Sequence, residues 1–230
     1  MGFDTIVWLT QQVCVQVDNC LFRVPMEPFQ QESTVFRDMF SMPQGSQNMV
    51  EGQSDDKPIR LDGVTKNDFE QLLKALFHRL VRSNQFMVLR HLDDNEALHR
   101  HHGAVPGLPL TVDEWASVLK LSTKWEFKML RQAAIDALIA LQIGPVDRIV
   151  LARQYDIRHW MVPALNELAK RPQPLGLEEG TKLGLETALK LASVRERVMI
   201  SGSNVYVAAA RDARAQNLDF SQAISATFVL

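Results

Sequence analysis

The sequence predicts an α+β fold, in which a small β-sheet packs with α-helices, followed by an all-α extension. Strand-forming residues are concentrated in residues 5–24. Apolar residues at helical spacing dominate residues 65–77 and return from residue 110 onwards. Strands that precede a run of helices are typical of the α+β class. The chain shows no internal repeat, which argues against a solenoid or a propeller.

The strand-rich segment predicts a β-hairpin. Apolar residues occupy alternate positions from Val13 to Val17, and Cys14 lies between two of them. Asp18-Asn19 has the chemistry of a tight turn, so Leu21 to Val24 is expected to return as the second strand.

Two short helices are expected after Pro25, at about residues 27–32 and 33–40. The second is indicated by apolar residues at helical spacing, namely Val35, Phe36, Met39 and Phe40. Residues 43–57 are rich in Gly, Ser, Gln and Asp and predict a loop, and residues 59–61 predict a short strand.

The clearest helix runs from Thr65 to Phe77. Thr65 is a favourable N-cap, and Asp68 stands three residues later, as in a capping box. One apolar stripe follows, made of Phe69, Leu72, Leu73, Leu76 and Phe77. Residues 79–107 have no sustained period and predict a long inserted loop, within which 86–89 resembles a strand.

Helices are predicted again from Leu110 to about residue 198. Thr111 and Glu114 have the spacing of a capping box, and Pro145 is suited to the first position of a later helix. Trp160 marks a further helix, and Glu178-Glu179 open the last one. The face that this last helix turns to the core is predicted to be Leu185, Ala188, Leu189 and Ala192. The Arg195-Glu196-Arg197 run is expected to be a solvated helix end, and residues 199–230 a loosely ordered tail in which 205–215 is a possible helix.

The composition suits a soluble, intracellular protein. The 230 residues are 46% hydrophobic and 23% charged, which allows a packed core. The net charge of −2, without a basic stripe, argues against direct binding of nucleic acid. The sequence lacks signal-peptide features and an apolar run of the ~20 residues that span a membrane. We expect a cytoplasmic or nuclear protein with no membrane partner, and the sparse cysteines, Cys14 and Cys20, suit a reducing compartment.

Motifs for catalysis are absent, and we predict that the chain is not an enzyme and takes no cofactor. It contains no G-x-G-x-x-G, no G-K-[ST] and no G-x-S-x-G motif. Cys20 is expected to be a buried structural thiol. The alternative from another class is a metal site formed by His99, His101 and His102 with Asp93 or Asp94, although nothing in the sequence supplies the outer shell that orients metal ligands.

Two blocks, Leu21 to Pro25 and Glu32 to Phe40, resemble the BTB/POZ domain in their order and in the sequence Val-Phe-Arg-Asp-Met-Phe. Residues 59–64 look like the third strand of that family, and residues 68–73 like the helix after it. Residues 115–141 look like its closing helix pair, so the resemblance covers about residues 4–142. BTB/POZ proteins of fungi, in which further helices follow the domain, are the most similar in organisation.

The resemblance implies protein–protein binding, as a scaffold or adaptor. BTB domains homodimerise or hetero-oligomerise, some present substrates to cullin-type ubiquitin ligases, and others act in transcriptional regulators. A regulator would have to act here through a partner. Pro25 stands where the family commonly has His, and the Asp expected one strand earlier is Gln12, or Asp4 if residues 8–15 are an insertion. The family's swapped N-terminal strand is not expected.

The segment 79–107 interrupts the domain near the surface that the family uses for cullins. Homodimerisation and cullin binding therefore remain open alternatives. Residues 8–15 and 79–107 would also be explained by introns retained in the gene model, which transcript sequencing tests.

The predicted organisation is a BTB/POZ domain over residues 1–142, a helical extension over 143–198 and a tail over 199–230. The predicted core consists of Phe22, Phe36, Phe40, Leu61, Phe69, Leu72, Leu76, Trp115, Leu119, Leu130, Ala134 and Leu138. A stable interface buries ~1,200–2,000 Å² and depends on a few aromatic or Met anchors. The candidate partner interface is Met26, Phe29, Val35, Met39 and Met42.

Overall fold

The computed structural model describes residues 11–42, 51–82, 108–201 and 218–229, without the side chains of 80–82 and 197–201. The part described is α+β, with one three-stranded mixed sheet and ten helices. The chain divides into two compact units, residues 1–141 and 142–230, hereafter unit 1 and unit 2. The predictions for 86–89, for 205–215 and for the histidine cluster lie outside the described residues.

The sheet of unit 1 has the order β2-β1-β3. Strands β1 (Gln12–Val17) and β2 (Cys20–Pro25) are antiparallel, with Val17 opposite Cys20 across the two-residue turn, so the predicted hairpin is confirmed. Strand β3 (Ile59–Arg60) pairs with β1 in parallel. Because β1 is the central strand, residues 12–15 are part of the sheet.

Among its described residues, unit 1 also has five helices: α1 (Met26–Glu32), α2 (Thr34–Ser41), α3 (Lys66–Arg82), α4 (Val112–Lys124) and α5 (Lys128–Ala140). The predicted cap of α3 is confirmed, since Thr65 Oγ1 accepts a hydrogen bond from Asp68 N at 3.1 Å. The capping box of α4 is also confirmed, with Thr111 N donating to Glu114 Oε2 at 2.8 Å.

The loop predicted from residue 79 begins too early, because α3 continues to Arg82. Arg79 forms an ion pair with Glu32, and both side chains are largely buried. The packed face of α3 therefore continues beyond Phe77, the last residue of the apolar stripe, through the ion pair of Arg79. The rest of that predicted loop, 83–107, is outside the described residues.

The predicted core residues are buried, except that Phe22, Phe40 and Leu61 are only half-buried. Val13, Val15 and Val17 of β1 also lie in the core, together with aromatic residues that the prediction omitted, Phe29, Trp125 and Phe127. Burial of such rings is the largest favourable contribution available to a unit of this size.

The described part of unit 2 contains helices α6 (Pro145–Gln154), α7 (Arg158–Lys170), α8 (Leu177–Leu183), α9 (Leu185–Ser201) and α10 (Ser221–Phe228). Pro145 occupies the first turn of α6 as predicted, where its missing N–H costs no helical hydrogen bond. The buried residues include Ile149, Trp160, Leu165, Leu168, Leu191, Val194, Phe220 and Ile224.

The helix predicted to open at Glu178-Glu179 is two helices, since Gly184 between them has φ 81° and ψ 152°. Its predicted inward face is wrong for two residues: Leu185 is 74% exposed and Leu189 is 60% exposed. Buried positions on α9 are Thr187, Leu191 and Val194. Helix α9 therefore packs on the rest of unit 2 through a second, largely apolar face.

The prediction of a solvated helix end at residues 195–197 is wrong for Arg195, which lies inside α9 and donates from Nη2 to the carbonyl oxygen of Arg171 at 2.8 Å. The loose tail is wrong for residues 199–201 and 218–229, because α9 reaches Ser201 and α10 begins at Ser221. Phe220 is buried, and its N–H donates to Asn166 Oδ1 at 2.9 Å.

Candidate partner interface

The position of α2 is fixed by Ser33, which joins α1 to α2 and is completely buried. Its Oγ accepts a hydrogen bond from Phe36 N at 3.1 Å and so caps α2. The same hydroxyl donates to the carbonyl oxygen of Trp125 at 2.5 Å. One side chain therefore both starts α2 and attaches it to the turn between α4 and α5.

A second contact joins these elements at the surface. Thr34 Oγ1 donates to Glu126 Oε2, and Glu126 adopts a left-handed backbone conformation with φ 55° between α4 and α5. Ser33 also forms a β-bridge with Phe127. The first turn of α2 is thus held by three consecutive residues of the α4–α5 turn.

The inner side of α2 packs into a cluster of aromatic rings. The centroid of the Phe36 ring lies 4.9 Å from that of Phe29 and 5.2 Å from that of Trp125. Both contacts are edge-to-face, the arrangement that aromatic quadrupoles favour. Because Phe29 is only 1% exposed, its assignment to the partner interface is wrong: it is a core residue.

The outer side of α2 and the residue that follows the helix present a largely apolar surface to solvent, which we call the α2 stripe and define as Val35, Asp38, Met39 and Met42. These positions have the i, i+3, i+4, i+7 spacing that places side chains on one face of a helix. Val35 is 37% exposed, Met42 is 62% exposed and Met39 is half-buried. Asp38 is exposed and was missed by the prediction, although the spacing alone would have included it.

Two further methionines of unit 1 lie on other helices. Met26, a predicted interface residue, begins α1 and is half-buried. Met129 is 52% exposed and follows Phe127 by two residues. The prediction omitted Met129 because it lies in α5, where the sequence signal is dominated by the buried residues Leu130, Ala133 and Ala134.

The described residues do not bring together three His, Cys, Asp or Glu side chains in a geometry that would hold a metal ion. Among them, none of the helices has the combination of length and apolar character needed to cross a membrane. Comparisons of the chain with protein-family models, curated proteins and solved structures give no match.

The two thiols differ in environment. Cys14 is buried, and its Sγ donates to Asp55 Oδ1 at 3.3 Å. Burial raises the pKa of the Cys14 thiol, and the hydrogen bond to the carboxylate raises it further, so the nucleophilic thiolate is disfavoured. Cys20 is half-buried, so its prediction as a buried thiol is wrong.

A shallow pocket of about 280 Å³ lies at the end of the sheet and is lined by Gln16, Asp18, Arg60, Leu61, Asp62, Gly63 and Val64. The Asp18 carboxylate accepts a hydrogen bond from Lys66 N at 2.7 Å, at the start of α3. Asp18, one of the two acidic residues of the pocket, thus serves as a structural contact between the hairpin turn and α3.

Proposed function

We propose that this chain is a protein-interaction module of the BTB/POZ type, which acts as a scaffold or adaptor and contacts protein partners through the α2 stripe. The observation that carries the proposal is the exposed apolar surface of Val35 and Met39 on the outer side of α2 and of Met42 directly after its last residue, on a helix whose inner side is fixed. Membership of that family and the absence of an enzymatic role are both part of the proposal.

The order of elements in unit 1 supports the family assignment. A β-hairpin, two short helices, a strand parallel to β1, the helix α3 and the helix pair α4–α5 follow one another as the resemblance implies. The blocks that carry the resemblance lie in β2 and α2. The helices of unit 2 correspond to the extension that fungal members carry after the domain.

The chemistry of the α2 stripe suits a protein partner. Methionine is flexible and polarisable, so Met39 and Met42 can adapt to the side chains of another protein. Asp38 adds a charge at the edge, where it contributes to orientation more than to affinity. Because Ser33 and the rings behind it hold α2, little conformational entropy would be lost there on binding.

The proposal is tested by comparing the proteins that co-purify with the tagged full-length chain and with a variant that carries Val35→Asp and Met42→Asp. Both residues are exposed, so folding should be retained. The control is Leu21→Asp, which places one charge of the same sign at an apolar residue on β2 that is 50% exposed. Quantitative mass spectrometry should show partners that the α2 variant loses and the control retains.

An identical set of co-purified proteins for all three chains would overturn the proposal. If a cullin is among the proteins that only the α2 variant loses, the chain acts as an adaptor of a cullin-type ubiquitin ligase. If the lost proteins include no cullin, the role is that of a scaffold.

A further inference from the structure

The turn between β3 and α3 contains Asp62-Gly63, the one Asp-Gly pair in the sequence. Both residues are exposed, and both line the shallow pocket at the end of the sheet, so water reaches them. Gly63 has φ 69°, a left-handed conformation that glycine adopts without steric cost. Among the residues that the structure describes, none provides a hydrogen-bond acceptor for Gly63 N. The peptide nitrogen beside the Asp62 carboxyl group is therefore not engaged by any of them.

The ammonium group of Lys124, the last residue of α4, lies at this peptide bond. Its Nζ donates to the carbonyl oxygen of Asp62 at 3.1 Å. It also lies 4.0 Å from the position that a Cβ on Gly63 would occupy. A positive charge that donates to a carbonyl oxygen stabilises the negative charge that develops there during a reaction. The contact therefore makes the peptide nitrogen easier to deprotonate and the carbonyl carbon easier to attack.

We propose that Asp62 is a site of spontaneous isomerisation to isoaspartate, and that Lys124 assists the reaction. In the first step, Gly63 N attacks Cγ of the protonated Asp62 carboxyl group. The N–Cγ bond forms, the bond between Cγ and the hydroxyl group breaks, and the hydroxyl leaves with the amide proton as water. The product is a five-membered succinimide. The reacting atoms belong to adjacent residues, so the step is intramolecular, and glycine adds no side chain that hinders ring closure.

In the second step, water opens the ring at one of its two carbonyl carbons. Attack at Cγ restores aspartate, whereas attack at the main-chain carbonyl carbon of Asp62 breaks its bond to Gly63 N and gives isoaspartate. The mass of the chain is unchanged, and no other reactant is consumed. Lys124 holds the oxygen of the main-chain carbonyl, which then becomes part of a carboxylate, a stronger acceptor for an ammonium group. Lys124 therefore favours isoaspartate over aspartate.

Isomerisation would change the connection between β3 and α3. The main chain would gain one methylene group directly before α3, whose first residue is held by the hydrogen bond from Lys66 N to Asp18. The new carboxylate is the group that isoaspartyl methyltransferases esterify with S-adenosylmethionine. The inference concerns the chemical ageing of unit 1 and does not depend on the proposed function of the α2 stripe.

The test is incubation of the full chain in water enriched in heavy oxygen, at neutral pH and physiological temperature. Digestion with trypsin in ordinary water then cleaves after Arg60 and Lys66 and releases a peptide in which Asp62 is the only acidic residue. Chromatography with mass spectrometry should separate this peptide into an aspartyl and an isoaspartyl form. The isoaspartyl form should carry the label, and isoaspartyl methyltransferase with S-adenosylmethionine should modify it alone.

Asp156 is the internal control in the same digest. Its side chain is 76% exposed, and it is the only acidic residue of the tryptic peptide 154–158. The residue that follows is the β-branched Ile157, whose N–H donates to the carbonyl oxygen of Ala152 at 2.9 Å. Because this nitrogen is hindered and already hydrogen-bonded, the Asp156 peptide should remain aspartyl and unlabelled.

Three variants isolate the role of Lys124. Lys124→Met should slow the formation of isoaspartate by about threefold or more, a modest factor because the ammonium is exposed to solvent. It should also lower the ratio of isoaspartate to labelled aspartate, which a change in flexibility alone would not do. Lys124→Arg keeps a charged donor and should retain both values. Lys128→Met removes the same charge at an exposed residue of α5 and should behave as the wild type. Circular dichroism checks that each variant is folded.

Two results would overturn the inference. The first is a full chain in which Asp62 stays aspartyl while a synthetic peptide of residues 61–66 isomerises under the same conditions. The second is an equal rate and an equal product ratio for the wild type and Lys124→Met. None of these measurements involves a protein partner, so neither result bears on the proposed function.

Discussion

The contacts that join the secondary-structure elements differ between the two units. In unit 1, rings of Phe29, Phe36, Phe69, Trp125 and Phe127 contact one another at centroid distances of 4.9–6.5 Å. Most of these contacts are steeply inclined, so the rings interlock. Each ring is wedged between others, and removing one leaves a space that its rigid neighbours cannot fill.

In unit 2, arginines join the helices through carbonyl oxygens and side chains. Arg153 Nη1 donates to the carbonyl oxygen of Leu183 at 2.8 Å and to Thr187 Oγ1 at 3.0 Å. Arg171 makes two hydrogen bonds of 2.6 Å to Glu179. The contact of Arg153 with Leu183 satisfies a carbonyl group where α8 ends, and each of these contacts has a modest net value. Stability should therefore be concentrated in a few residues in unit 1 and spread over many in unit 2.

The largest effect is expected from Phe36→Ala in unit 1. Phe36 is 1% exposed, and its loss removes buried surface and leaves a cavity, which costs about 3–5 kcal/mol. Urea denaturation followed by tryptophan fluorescence measures the change. The control is Phe40→Ala, a half-buried ring whose centroid lies 5.8 Å from that of Phe36. Equal losses for the two variants would contradict the idea that stability is concentrated in the interlocked rings.

Ser33→Ala tests how much the two hydrogen bonds of the buried Ser33 hydroxyl contribute to holding α2 in place. The substitution leaves the carbonyl oxygen of Trp125 and the N–H of Phe36 without their partner, at a cost of about 2–3 kcal/mol. Hydrogen-exchange mass spectrometry should show faster exchange in α2 and in the α4–α5 turn. Ser41→Ala is the control, because its exposed hydroxyl donates only to the carbonyl oxygen of Arg37 in its own helix. Unchanged exchange in α2 would show that the rings alone hold it.

The local signals in the sequence predicted the fold well where a few neighbouring residues determine the structure. The turn at Asp18-Asn19, the caps at Thr65 and Thr111, and Pro145 at the start of α6 are of this kind. Each depends on hydrogen bonds or dihedral angles within about four residues. Such features are visible in the sequence because no distant partner is needed.

The errors arose where contacts between residues far apart in the sequence determine which side chains are buried. In α9, periodicity identified an apolar face, but the helix has two, and only the packing of unit 2 selects Leu191 and Val194. In the candidate interface, Val35 and Met42 are exposed, whereas Phe29 lies in a helix of seven residues, too short for periodicity to indicate an inner side. Helix α10 was missed because a contact that precedes it joins residues far apart in the sequence: the N–H of Phe220 donates to Asn166 Oδ1.

Gly184→Ala tests whether the break between α8 and α9 is a requirement of the backbone. With φ 81° and ψ 152°, Gly184 occupies a region essentially reserved for glycine, so alanine should destabilise unit 2 by about 1–2 kcal/mol. Gly180→Ala is the matched control, since it lies within α8 and an added Cβ meets nothing within 4 Å. That variant should be more stable by about 0.5–1 kcal/mol. The same sign for both substitutions, measured by urea denaturation, would contradict this interpretation of the break.

The smallest expected effect is the pH dependence of unit 2 through Glu179. Hydrogen bonds from Arg171 and from the N–H of Gly176 lower the pKa of this carboxyl from 4.5 to about 2. Because the pKa is lower in the folded state, the unfolded chain binds the proton first as acid is added, and the contribution of Glu179 is lost from pH 4.5 towards 2. Wild type should therefore exceed Glu179→Gln in urea midpoint at neutral pH, with a difference that shrinks over this range. Glu178→Gln, whose side chain is 88% exposed, should show no such convergence. If the difference between wild type and Glu179→Gln stays constant down to pH 2, hydrogen-bond geometry rather than the charge of the carboxylate stabilises this contact.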